Sequence, residues 1–94
     1  MPAMHFVVRW PDNSLETCYS PSTVIETYLK VNHPYTVEEF TATALQALNK
    51  ASERVASKFG YACSSAMDQA SAITQKAGHF SASDNVTVEK ITVI

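Results

Sequence analysis

Met4, Phe6, Val8 and Trp10 alternate with His5, Val7 and Arg9. That period of two describes a strand with one apolar face. Pro11-Asp12-Asn13-Ser14 follows as a turn, because proline presets φ, Asp bonds nearby backbone and Asn tolerates the left-handed region. A second strand, Leu15 to Tyr19, closes a hairpin. Setting Trp10 opposite Leu15 pairs Arg9 with Glu16, Val8 with Thr17 and Phe6 with Tyr19. This register joins opposite charges and gathers the large apolar groups on one face. A slip by one residue places Val8 opposite Glu16, so the first register is the expectation.

Ser20-Pro21 reads as an N-cap followed by proline at the first helical position, opening a short helix to about Lys30. Val31-Asn32-His33-Pro34-Tyr35 breaks it. Thr36 and Glu39 have the spacing of a capping box, which starts the longest helix. Its expected buried stripe is Val37, Phe40, Ala44, Leu48, Ala51, Val55 and Phe59, and Gly60 suits the left-handed position after its end. A third helix, about Ala62 to Ala77, carries Cys63, Ala66, Met67, Ala70, Ile73 and Ala77 at spacings of three and four, with Phe80 beyond. Both long helices are rich in alanine and fit a helical hairpin.

Val86 to Ile94 forms the last strand. Val86 and Val88 share one face while Ile91 and Val93 fall on the other, so either a bulge near Glu89-Lys90 or a strand buried on both sides is expected. The order is ββαααβ. Because a lone hairpin is barely stable, the C-terminal strand is expected beside the first. The fold class is therefore α+β: one domain over residues 1–94, a small antiparallel sheet with helices on one face.

Composition narrows the function. With 46% hydrophobic and 17% charged residues, the 94-residue chain supports a packed core. Seven basic against nine acidic residues give a net charge of −2. That is a poor endowment for neutralising phosphates, so neither nucleic acid nor an anionic membrane is an expected partner. The stretch Met1-Pro2-Ala3-Met4-His5-Phe6 lacks the basic and long apolar parts of a signal peptide. The cytoplasm is the expected location, with Cys18 and Cys63 as free thiols.

Few residues offer chemistry. Cys63 falls near a helix N-terminus, where the dipole favours a thiolate. It is also in phase with Ala66, Met67 and Ala70, so packing as a small apolar side chain is the expected role. Lys50, Arg54 and Lys58 form a basic line at i,i+4 spacing, with Glu53 among them. Such a line is either a solvated face or a site for an acidic partner. His5, His33 and His79 are scattered and have no metal-ligand spacing. Only Gly60 and Gly78 are glycines, which leaves no phosphate-cradling loop. No acid/base pair or nucleophile elbow is legible, and no cofactor or metal is called for.

Four stretches together resemble a known family: Met4-His5-Phe6 with Val8-Arg9-Trp10-Pro11-Asp12, then Cys18-Tyr19-Ser20-Pro21-Ser22, Ala51-Ser52-Glu53-Arg54-Val55, and Gly60-Tyr61-Ala62-Cys63-Ser64. They are similar to the small nitrogen-starvation-response proteins of mycobacterial type, which also occur in cyanobacteria. The resemblance is clearest over residues 4–22 and 51–66. It implies a gene cluster containing a nitrilase, a radical iron–sulfur enzyme, an acetyltransferase and a flavin oxidoreductase. It supplies no catalytic residues. The family usually has Asp-Gly in the hairpin turn, where this chain has Asp12-Asn13.

The expected function is a non-catalytic accessory protein that binds an enzyme of its cluster or a second copy of itself. The alternative is a small enzyme or ligand-binding protein using Cys63 or the Arg54 face. Arg54, Tyr61, Cys63 and Trp10 are the candidate ligand- or partner-binding residues.

Overall fold

The computed structural model describes residues 2–60 and 64–94, and of Phe59 the backbone only. Its elements are β1 (Met4–Arg9), β2 (Leu15–Ser20), α1 (Ile25–Tyr28), β3 (Pro34–Thr36), α2 (Val37–Phe59), α3 (Ser64–Ala77) and β4 (Asn85–Val93). The strands form one antiparallel sheet in the order β2-β1-β4-β3. The α+β class, the ββαααβ order and the place of β4 beside β1 are as the sequence predicts. The sheet has a fourth strand, β3, inside the segment read only as a helix breaker. Pro34 and Tyr35 pair with Thr87 and Val86. A proline is tolerated there because β3 lies at the sheet's edge.

The hairpin register corrects the sequence expectation by one residue. Met4 faces Ser20, Phe6 faces Cys18, Val8 faces Glu16 and Arg9 faces Leu15. The turn causes the slip. Trp10 N–H donates to Ser14 O at 2.9 Å, and Asn13, at φ 68°, donates to Trp10 O at 2.8 Å. This is a three-residue loop of Pro11, Asp12 and Asn13, with a left-handed residue in third place. Trp10 therefore sits opposite Ser14, and Tyr19 moves to the outer face, where its ring meets His5 edge-on.

α1 is also shorter than expected. Ser20 ends β2 rather than capping a helix, and its hydroxyl donates to Ser22 O at 2.8 Å. The chain turns through buried Pro21 and Ser22 before Ile25 begins the helix.

α2 matches its predicted ends. Thr36 and Glu39 form both bonds of the capping box, and Gly60 closes the helix at φ 81°. The Thr36 backbone N–H and hydroxyl both donate to Glu39 Oε1 and pull the Glu39 carboxyl below its ordinary value. Phe40, Ala44, Ala47, Leu48 and Ala51 are buried, but Val55 is only half-buried. The reason is length: 23 residues span about 35 Å at 1.5 Å each. The six-residue strands reach about 20 Å and nine-residue β4 about 30 Å. The last turns of α2 thus run past the sheet. The antiparallel α3 begins there, and Met67, expected in its buried stripe, is 53% exposed. Ala66 and Ile73 are buried as expected.

The bulge in β4 is real. Pairing shifts between Val7–Lys90 and Val8–Val88, so Glu89 is the additional residue. The insertion returns Ile91 and Val93 to the helix-facing side, opposite Phe6 and Met4.

Candidate functional site

Two surface features stand out, an apolar groove and an open sheet edge. The groove owes its shape to the segment between α3 and β4. Glu38 N–H donates to Ala82 O and Val37 N–H to Asp84 O, at 3.1 and 2.8 Å. These bonds tie the segment to the first turn of α2 and supply acceptors that a helix start lacks. Phe80 is held against the core, with its ring stacked on Trp10 at 5.8 Å, while Trp10 meets Phe40 edge-on at 5.6 Å. Between them lies an open groove of about 460 Å³, walled by Val37, Thr41, Ala42 and Leu45 on α2 and by Ala77 and Phe80 across from them. Glu38 is the only carboxylate among the groove's described lining residues. Thr41 Oγ1 is buried in this wall without a hydrogen-bond partner among the described residues. A second, more polar depression of about 400 Å³ lies between β2 and α3, beside Tyr19, Asp68 and Gln69. Gln69 is already engaged there, accepting from Tyr19 N–H at 2.9 Å.

The edge belongs to β4. β3 covers it from Asn85 to Thr87, and Val31 bridges Val88, with Asn32 N–H donating to Val88 O at 2.8 Å. Beyond the bulge no strand among the described residues pairs on that side. Ile94 N–H donates to Ala3 O at 3.0 Å, which fixes the phase of the β1–β4 ladder. Alternation then turns the backbone groups of Lys90 and Thr92 toward β1 and those of Ile91 and Val93 outward. Val31, Val93 and Ile94, 42, 62 and 63% exposed, lie along this edge. At the opposite edge of the sheet, Gln69 occupies the Tyr19 amide.

The sequence candidates are dispersed. Trp10 is built into the core at 1% exposure, and its indole N–H donates to Glu16 Oε1 at 3.1 Å. Arg54 is exposed on the overhanging end of α2. Tyr61 and Cys63 lie outside the described residues, and the expected burial of Cys63 and Phe59 falls there too. Cys18 is buried, and burial, with a smaller contribution from the Glu16 charge, pushes its thiol up to about 12. No group of three His, Cys, Asp or Glu side chains that could hold a metal ion is found among the described residues. No described helix is long and apolar enough to cross a membrane.

Sequence reading missed the edge because β3 was not recognised, so how far β4 is covered was not legible. The signal was present in part: an apolar Ile91-Thr92-Val93-Ile94 end on a strand longer than its neighbours.

A family model described as nitrogen starvation-induced protein NitG matches residues 5–92. The chain belongs to the NitG family. The match runs from β1 to Thr92 in β4, so it spans the hairpin, both long helices, the bulge and Ile91, and stops short of Val93 and Ile94. No curated protein and no solved structure matches the chain.

Proposed function

We propose that this chain is a non-catalytic interaction protein of the nitrogen-starvation response, acting by contact with another protein chain through the open edge of β4. One observation carries the reading: outward backbone groups at Ile91 and Val93 that no strand among the described residues pairs, flanked by exposed Val31, Val93 and Ile94. An unpaired ladder beside apolar side chains is a template for another strand. A domain this small also has little room for a deep pocket with a supporting shell around it. An enzyme of the gene cluster implied by the resemblance is the first partner to seek.

The test is affinity capture from nitrogen-starved cells with the wild-type chain and with Val93→Pro. The Val93 N–H points outward, so proline there breaks no bond of the monomer's sheet. A protein retained by the wild type and lost with V93P supports the reading. A strict monomer that carries only a small molecule contradicts it and favours the ligand-binding alternative at Cys63 or Arg54.

A further inference from the structure

Resting on that reading, we infer that the strand received at β4 is an extended segment of another protein in which apolar residues alternate with acidic ones. The two faces of the sheet set the alternation. Ile91 and Val93 lie opposite Phe6 and Met4 and so point to the helix side. Lys90 lies opposite Val7 and points to the other side. A strand laid along this edge repeats every two residues. Its side chains beside Ile91 and Val93 meet apolar groups, and the intervening ones meet Lys90.

Charge decides what those intervening residues are. Glu89 is the nearest carboxylate in sequence to Lys90, but it is paired with Arg9. Neither Lys90 nor Lys30, one residue before Val31 at the same edge, has an ion-pair partner among the described residues. Both are exposed. The edge therefore presents apolar side chains with unneutralised positive charge, and an acidic apolar strand complements it. A second copy fits worse. A two-fold axis at Thr92 matches Ile91 with Val93 of the other chain but sets each Lys90 opposite Ile94. Residues 90–94 contain no acidic side chain, so neither ammonium gains a side-chain counter-charge from a second copy.

Two labelled, end-capped peptides test this, Thr-Glu-Val-Glu-Val-Glu-Thr and its counterpart with Lys in place of Glu. Binding to the full chain is read by fluorescence anisotropy, and the site by the amide NMR shifts of Ile91 and Val93. The acidic peptide is expected to bind at least about tenfold tighter, since two exposed ion pairs are worth roughly that together. The double variant Lys30→Glu with Lys90→Glu is expected to invert the order. Equal binding of the two peptides, or a preference that survives the charge reversal, overturns the inference. A dimer in light scattering that V93P abolishes also overturns it, while leaving the open edge as the contact surface. If neither peptide binds, no dimer forms and V93P captures everything the wild type does, inference and edge reading fall together.

Discussion

The indole N–H of Trp10 donates to Glu16 Oε1 at 3.1 Å, and this bond lets the hairpin hold a carboxylate on its core-facing side. In the observed register Glu16 lies opposite Val8 and shares a face with buried Cys18, whose Sγ is 4.0 Å from Glu16 Oε2. Buried Trp10 needs an acceptor, and the one-residue slip supplies it.

Glu16→Ala is therefore expected to cost about 1–3 kcal/mol, the usual penalty for a buried donor left unpaired. Glu16→Gln keeps an acceptor and is expected to lose less than half of that. Urea melts of both variants check the assignment, and equal losses would show that the charge, rather than the bond, matters.

The overhang of α2 predicts a gradient of packing energy along one helix. Leu48, 1% exposed, is expected to cost about 2–5 kcal/mol when replaced by Ala. Val55, half-buried past the sheet, is expected to cost about 1 kcal/mol. Comparable losses in denaturant melts would mean that the far end of α2 is packed as tightly as its middle.

Thr41 supports a prediction of opposite sign. Its hydroxyl is buried without a partner among the described residues, so Thr41→Val is expected to raise stability by up to about 1 kcal/mol. Thermal melts decide it, and a destabilised variant would mean that the hydroxyl does find an acceptor.

Cys18 titrates in the alkaline range. Its pKa is raised from 9.0 when unfolded to about 12 when folded, so the neutral thiol is the form that folding favours. The associated stability is fully present below pH 9 and is lost as pH rises from there to about 12. Near pH 7, alkylation of Cys18, followed by peptide mass spectrometry, is expected to proceed only as fast as the protein unfolds. Faster labelling would place the thiol in contact with solvent.

Local rules carried much of this fold and failed at identifiable places. The capping box, the Gly60 terminus and the Glu89 bulge each follow from chemistry within a few residues, and each was legible in the sequence. The hairpin register was not, because it depends on whether Asn13 takes a left-handed φ, and cross-strand charge pairing argued for the other answer. β3 was not legible either, since three residues behind a proline have no strand signature until β4 lies beside them. The candidate site followed the same division. Trp10 and Arg54 were visible as residue types, whereas the open edge exists only once strand order and ladder phase are known.

Amide hydrogen exchange along β4 in the dilute, isolated chain tests the central claim most directly. Lys90, Thr92 and Ile94 turn their N–H groups toward β1, and Ile91 and Val93 turn theirs outward. Alternating protection is expected, with Thr92 exchanging at least roughly 100-fold more slowly than Ile91 and Val93. Uniform slow exchange from Lys90 to Ile94 would show that this edge is already covered and would contradict the account.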